Sequence, residues 1–123
     1  GVGITPVRSM LRDALRRDLR VEATVFFGNP NERCVPYREE LDRMGSLGVR
    51  VVHVLEEPSD QWTGERGRIT AGTVRGYLNP EGQTFFVTGP SLMVAAMQSV
   101  LDELGVPENR RVIERFGPPG GSA

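Results

Sequence analysis

Helix-like and strand-like segments alternate along almost the whole chain, and this alternation constrains the fold more than any other feature of the sequence. Four segments carry apolar residues at the spacing of one helix face: residues 6–19, 36–44, 70–78 and 91–104. Four short runs are rich in β-branched and aromatic residues: residues 21–27, 49–55, 84–88 and 111–116. This order predicts an α/β domain with an open parallel sheet and helices on both faces.

Residue types that are typical of helix ends lie at the borders of these segments. Thr70 is a predicted N-cap, Pro36 suits the first position of a helix, and Gly105 with Pro107 should end the last helix. After the final strand the sequence is rich in Gly and Pro. We therefore expect one domain over residues 1–117 and a flexible tail over residues 118–123.

Composition narrows the possible functions. The chain carries 15 basic and 16 acidic residues, a net charge of −1, so we expect no nucleic-acid partner. Each of these basic residues is Arg, which excludes lysine-based chemistry, and the single cysteine, Cys34, excludes an internal disulfide and a cysteine-based metal site. No apolar run approaches the roughly 20 residues of a membrane span. We expect a cytoplasmic protein.

The chain opens on a glycine turn with the pattern of a phosphate cradle. Gly1 and Gly3 precede the helical segment that starts near Pro6, where backbone N–H groups at the helix start can bind a pyrophosphate. Thr5 can cap this helix or donate to a ligand. Taken alone the motif is weak, and a tight structural turn without a ligand is the alternative explanation of the same residues. Because no strand precedes the turn, we expect that the central first strand of the sheet is missing.

Further candidate ligand residues follow the predicted strands. Asn29 follows the first strand run, Glu56 the second, and Thr88, Gly89 and Pro90 end the third. Open α/β sheets bind ligands at the carboxyl ends of their strands, so these residues are candidate cofactor contacts. Turn formation alone explains each of them taken singly.

Two other reactive side chains do not form a recognisable site. His53 lies inside a strand run without a second His or a carboxylate at ligand spacing, and we predict a packed, neutral side chain. Cys34 lies in a turn beside charged residues and is interpreted as incidental. The sequence supports no Ser/His/Asp set and no pair of catalytic carboxylates.

Six short motifs follow one another along the chain: GVGITP at 1–6, FFGN at 26–29, YREEL at 37–41, WTGERGRIT at 62–70, TGPSLM at 88–93 and ERF at 114–116. In this order they resemble the NAD(P)-binding domain of the ferredoxin reductase superfamily, a Rossmann-like fold, over residues 1 to about 117. The resemblance implies a flavin-dependent NAD(P)H oxidoreductase, in which a hydride passes to a flavin and electrons then pass singly to an acceptor. FAD or FMN would be held by an upstream barrel domain, so the chain alone is expected to be inactive.

The resemblance also implies roles for residues near the pyrophosphate, the adenine and the flavin. Gly1, Gly3 and Thr5, with Pro6 beside them, would hold the pyrophosphate. Tyr37 occupies the place of an aromatic residue that flanks the adenine in some members, and Phe116 that of a terminal aromatic near the flavin. For Tyr37 and Phe116 a role as core aromatics remains an alternative.

By the same resemblance, Gly89 and Pro90 would border the nicotinamide pocket. Thr88 stands where many members have a cysteine beside the nicotinamide C4, a departure that makes slower hydride transfer possible. Glu56, with Glu57 after it, lies where the adenosine ribose is expected. A carboxylate there favours NAD(H) over NADP(H), because a 2′-phosphate would meet a like charge.

Three points stay open. Arg66 and Arg68 could bind a phosphate or neutralise Glu56, and would then oppose the preference for NAD(H). The electron acceptor could be a haem, an iron–sulfur protein or an oxygenase, and a transmembrane parent reductase would hold the chain at the cytoplasmic face of a membrane. A non-catalytic nucleotide-binding or interaction module on the same fold is the alternative function.

Overall fold

The computed structural model describes residues 4–17, 23–44 and 48–116, with residues 4–6, 15 and 116 described by their backbone alone. Gly1, Gly3 and the predicted tail therefore lie outside the described residues. Contacts divide the chain into two compact units, Gly1–Arg68 and Ile69–Ala123. Each unit has its own parallel sheet and its own hydrophobic core.

The described part of the first unit combines helices with a small sheet. In chain order its elements are α1 (Ile4–Arg16), β1 (Ala23–Asn29), a 3-10 turn (Glu32–Cys34), α2 (Arg38–Met44), β2 (Val49–Leu55) and β3 (Glu65–Arg66). Strands β1 and β2 are parallel along their whole length, and β3 extends the sheet beyond β2. The core is formed by Leu11, Phe27, Leu41, Met44 and Val49.

The described part of the second unit follows the same layout. Its elements are α3 (Ala71–Arg75), β4 (Phe85–Pro90), α4 (Ser91–Glu103), a 3-10 turn (Glu108–Arg110) and β5 (Arg111–Phe116). Strands β4 and β5 are parallel. Val87 of β4 packs with Val94 and Leu101 of α4 and with Val106, and all four side chains are buried. A fully buried aliphatic side chain of this size stabilises the fold by about 1.5–3 kcal/mol.

The predicted α/β fold with parallel strands is confirmed. Strands β2 and β5 begin and end at the predicted residues. Thr70 caps α3, since its side chain accepts from the backbone N–H of Thr73 while the Thr73 hydroxyl accepts from the N–H of Thr70. Helix α4 ends as predicted before Gly105, which has a φ of +73°.

The bounds of the first two helices differ from the predictions. Helix α1 already begins at Ile4, so Thr5 and Pro6 lie in its first turn and Thr5 is not its N-cap. Pro36 is not the first residue of α2, because that helix begins at Arg38. Tyr37 has a φ of +55°, outside the right-handed helical region, and its carbonyl oxygen accepts the first helical hydrogen bond, from Leu41 at 2.9 Å.

Other differences concern strand ends and a short helix. Gly28 and Asn29 were expected to form a turn, but they continue β1, since the parallel ladder pairs them with Val54 and Leu55. Strand β3 was not predicted, because two residues are too few to show a period. Helix α3 ends at Arg75 rather than at residue 78.

The helices over the described residues are short. None of them is long and apolar enough to cross a bilayer. The same part of the chain contains no group of three His, Cys, Asp or Glu side chains that could hold a metal ion.

Candidate functional site

The carboxyl ends of β1 and β2 form one edge of the first unit. The ladder continues past both strands, because the N–H of Glu56 donates to the carbonyl of Asn29 at 3.0 Å and that of Glu57 to the carbonyl of Pro30 at 2.7 Å. Asn29 is buried, whereas Glu56 and Glu57 are exposed. The structure thus brings two predicted site residues, Asn29 and Glu56, together by backbone hydrogen bonding.

The loop that follows β2 is joined by a hydrogen bond to the 3-10 turn that follows β1. Ser59 donates its backbone N–H to Glu32 Oε1 at 2.9 Å. Hydrogen bonding by Ser59, first through its side chain and then through its backbone, lowers the pKa of Glu32, and the charge of Arg38 lowers it further. Glu32 is therefore ionised at neutral pH, in the form that accepts these bonds best.

The remainder of this loop packs around the single tryptophan. Trp62 Nε1 donates to the carbonyl of Glu65 at 2.9 Å, and the guanidinium of Arg38 lies 5.2 Å from the centroid of the indole ring. The ring covers Gly64 so closely that an added Cβ there would lie 2.6 Å from a ring carbon. Arg66 Nη2 donates to the carbonyls of Ser59 and Trp62. Arg66 thus binds the backbone of its own loop.

Tyr37 lies in the turn before α2 and contacts α1. The guanidinium of Arg8 lies 4.2 Å from the centroid of the Tyr37 ring. Arg8 Nε also donates to Glu40 Oε2 at 2.6 Å, and Arg12 Nε lies 3.4 Å from the other oxygen of Glu40. Tyr37 itself is 43% exposed. It is therefore not a core aromatic in this structure.

In the second unit, the predicted nicotinamide residues lie at the carboxyl end of β4. Thr88 Oγ1 is buried and makes no hydrogen bond with any described residue. Gly89 is buried, and a Cβ at this position would lie 2.6 Å from Cε of Met93. Pro90 precedes α4, and the parallel register places it opposite Phe116 at the end of β5. The unit therefore brings Thr88, Gly89, Pro90 and the backbone of Phe116 to one edge of its sheet.

His53 was predicted to be packed, and its side chain is only 8% exposed. The prediction did not include its partner, since His53 Nε2 lies 3.2 Å from Asp42 Oδ1 on α2. A cavity of about 440 Å³ lies nearby, lined by Leu41, Asp42, Gly48, Arg50 and Val51. Gly48 and Arg50 lie at the amino-terminal end of β2, whereas open α/β sheets bind ligands at the carboxyl ends of strands, so this cavity is not the candidate site.

Sequence reasoning also missed Arg8 and Arg38. Both make their aromatic contacts across long stretches of sequence, which no local pattern reveals. The spacing of Arg38 and Asp42 by four residues is typical of a helical ion pair, and their charged atoms lie 3.6 Å apart.

Comparison with known proteins identifies the family. The protein-family model that describes the oxidoreductase NAD-binding domain matches residues 1–99 of this chain. The chain belongs to this family. Ferredoxin--NADP reductase B of Sorangium cellulosum (strain So ce56) is 32% identical over 94% of the chain and 51% of its own length. A component of the Na(+)-translocating NADH-quinone reductase of Haemophilus influenzae (strain PittEE) is 30% identical over 95% of the chain and 31% of its own length.

A solved structure has the same fold. The flavohem-like FAD/NAD-binding domain of nitric oxide dioxygenase from Vibrio cholerae O1 biovar El Tor superposes with a TM-score of 0.83, at 21% identity, over 96% of the chain and 48% of that protein chain. This oxidoreductase NAD-binding domain therefore spans about half, or less, of the length of these three proteins.

The residues of this oxidoreductase NAD-binding domain are compatible with a nicotinamide ligand at the end of β4. The buried Thr88 hydroxyl has a free donor and a free acceptor with respect to the described residues. The space that a Cβ at Gly89 would take is filled by the flexible end of Met93, so movement of this side chain would open the backbone of Gly89 to a ligand. Both features suit a planar ligand that must come close to the backbone.

Proposed function

We propose that this chain, over residues 1–117, is the dinucleotide-binding domain of a flavoprotein reductase that uses NADH, or NADPH less well. When they are bound, the nicotinamide supplies a hydride and a flavin held on a separate upstream barrel domain accepts it, for onward transfer of electrons. The observation that carries this proposal is the buried Thr88 hydroxyl at the carboxyl end of β4, which has no hydrogen-bond partner among the described residues.

The energetics of Thr88 favour a ligand at this place. A buried polar group without a hydrogen-bond partner costs about 1–3 kcal/mol, so a ligand that accepts from Oγ1 or donates to it recovers this free energy. We assign Thr88 to orienting the nicotinamide, and Gly89 and Pro90 to bordering its pocket. Phe116, at the end of the neighbouring strand, is assigned to the flavin side of that pocket.

The pyrophosphate is assigned to the start of the chain. Helix α1 begins at Ile4 and runs for 13 residues, so its first turn offers backbone N–H groups and the positive end of the helix dipole. Gly1, Gly3, Thr5 and Pro6 are proposed to contact the phosphates. In the first unit, Asn29 and Tyr37 are proposed to contact the adenosine half of the dinucleotide.

Glu56 is proposed to select NADH. Its carboxylate is exposed at the end of β2, where it can accept hydrogen bonds from ribose hydroxyls, and Glu57 adds a second charge. Arg66 is held by two carbonyls of its own loop, which supports NADH because this guanidinium has partners other than a phosphate or Glu56. One relative is named for NADP and another for NADH, so both cofactors occur among similar proteins.

The proposed partners are the upstream flavin-binding barrel and an electron acceptor that is a haem, an iron–sulfur protein or an oxygenase. We propose that the reaction takes place on the cytoplasmic side, in solution or beside a membrane-bound parent.

The proposal is tested on the intact protein that contains this chain. NADH oxidation is measured with ferricyanide as an artificial acceptor, for the wild type, Thr88→Val, Thr88→Ser and the control Ser99→Ala, which removes another hydroxyl of the same unit. We expect Thr88→Val to lower kcat/KM about tenfold and Thr88→Ser to recover most of it, since one hydrogen bond contributes about 1–1.5 kcal/mol.

Two outcomes would contradict the assignment. Binding of NADH without any oxidation in the wild type would favour the non-catalytic nucleotide-binding module. Equal activity of Thr88→Val and wild type would remove Thr88 from the site.

A further inference from the structure

The backbone of Tyr37 is held in a conformation that a bulky residue rarely adopts. Among the described residues it is the one non-glycine residue with a positive φ, +55°. Such strain persists only where surrounding contacts fix it, and it often occurs at functional sites.

Arg8 contacts the Tyr37 ring. Its guanidinium lies 4.2 Å from the ring centroid, within the range of a cation–π interaction. The orientation of the guanidinium is fixed by Glu40, whose Oε2 lies 2.6 Å from Arg8 Nε. Because Glu40 lies three residues after Tyr37, one turn of chain carries both the ring and the carboxylate that holds the cation against it.

Tyr37 is more exposed to solvent than the two residues, Arg8 and Glu40, that hold it. The Arg8 side chain is 21% exposed and that of Glu40 25%, whereas Tyr37 is 43% exposed. Since the guanidinium lies over one face of the ring, a ligand can contact the ring only through its edge or its opposite face. This arrangement presents an immobilised aromatic surface to solvent, which is what stacking of a nucleobase requires.

We propose that Arg8 is a positioning residue for the adenine of the dinucleotide. It holds the Tyr37 ring from behind, and the opposite face of the ring stacks on the adenine. The positive charge behind the ring also draws π-electron density away from the opposite face, which reduces the repulsion between the two π-systems. This inference rests on the proposed function, because it requires that a dinucleotide binds.

A purely structural tie between α1 and α2 would use the same ion pair, and Arg12 provides the control. Arg12 Nε lies 3.4 Å from Glu40 Oε1, so Arg12→Gln also removes an ion pair between α1 and this carboxylate. The cation–π contact belongs to Arg8. If Arg8 positions the ring, loss of Arg8 should weaken the binding of a ligand that carries adenine, whereas loss of Arg12 should not. If Arg8 only ties α1 to α2, the two losses should have similar effects.

The test measures binding of two halves of the cofactor to the intact protein by calorimetric titration. ADP-ribose carries the adenine and reduced nicotinamide mononucleotide does not. We expect Arg8→Gln to raise the Kd for ADP-ribose about three- to tenfold and to leave the Kd for the mononucleotide unchanged. Arg12→Gln should change neither Kd by more than about twofold. In a Tyr37→Leu background, Arg8→Gln should have no further effect on ADP-ribose.

Several results would overturn the inference. These are equal affinity of Arg8→Gln and wild type for ADP-ribose, a parallel loss for both probes, or an undiminished effect in the Tyr37→Leu background. If Arg8→Gln impairs folding, Arg8→Lys keeps the charge but loses the planar stack, and it should show a smaller loss confined to ADP-ribose. A wild type that binds neither probe would instead contradict the proposed function.

Discussion

The guanidinium of Arg111, at the start of β5, donates from Nη2 to Asp102 Oδ1 at 2.8 Å. The same side chain is only 6% exposed, and it also donates to the carbonyl of Val106 and, at 2.8 Å, to Gln98 Oε1. Arg111 therefore joins β5 to the end of α4 and to the turn that follows it. This connection fixes the strand whose last residue is Phe116.

We predict that Arg111→Met destabilises β5 by about 2–3 kcal/mol, because it removes charge-assisted hydrogen bonds and leaves the Val106 carbonyl with fewer donors. The measurement is the opening free energy of the β5 amides by hydrogen exchange in the intact protein. Arg115→Met, at an exposed position of the same strand, is the control and should stay within about 0.5 kcal/mol. Equal protection of β5 in both variants would contradict this role of Arg111.

We predict that Gly64→Ala displaces the Trp62 ring, since the new Cβ would lie 2.6 Å and 2.9 Å from two ring carbons. The ring would lose its hydrogen bond to Glu65 and its contact with Arg38, and would become more exposed to water. Because the chain has one tryptophan, fluorescence reports this change, provided other tryptophans of the intact protein are replaced by Phe. Gly72→Ala, whose Cβ would make only an ordinary contact at 3.6 Å, should leave the emission unchanged. An unshifted spectrum in Gly64→Ala would contradict the packing.

The loop that carries Trp62 should loosen in acid. The pKa of Glu32 is lowered in the folded protein, so the stabilising bonds from Ser59 are present at and above the ordinary carboxyl range and are lost as the pH falls through the lowered value. The measurement is the NMR shift of the Ser59 amide against pH. Glu32→Gln should abolish this titration and the exposed control Glu39→Gln should not. A Ser59 shift that titrates with a normal glutamate pKa, or that still titrates in Glu32→Gln, would contradict the contact.

Much of the fold was predictable because its signals are local. The capping box of Thr70 and Thr73 and the end of α4 at Gly105 depend on residues a few positions apart. The bounds of β2 also follow from local composition, since the strand is a continuous run of mainly apolar residues between a glycine and two glutamates.

The remainder depends on contacts between distant residues. The ring of Tyr37 contacts Arg8, which lies far earlier in the sequence, so no periodic pattern reveals this contact. Asn29 was expected in a turn, but pairing with Leu55 extends the strand. For the candidate site, the residue types at the strand ends could be predicted. The buried state of the Thr88 hydroxyl could not, because it depends on packing within the second unit.

Cofactor selection is predicted to depend on Glu56 and Glu57. Two like charges about 4 Å apart near a protein surface repel by roughly 4 kcal/mol, which exposure and salt reduce to about 1–2 kcal/mol, so NADH should be preferred over NADPH by about tenfold. The measurement is the ratio of kcat/KM for the two cofactors in the intact protein. The double variant Glu56→Ser with Glu57→Arg should shift the ratio towards NADPH, and the control Asp60→Ser should not. Equal use of both cofactors by the wild type, or no shift in the double variant, would contradict the assignment.

We propose that this chain binds NADH so that its hydride passes to a flavin. The most direct test is the rate of flavin bleaching in anaerobic stopped-flow experiments with the intact protein. NADH and NADH deuterated at the transferred position of C4 are compared at saturating concentration. We predict that NADH bleaches the flavin and that the deuterated cofactor does so more slowly, with a primary isotope effect. Saturable binding of NADH without flavin bleaching would contradict it.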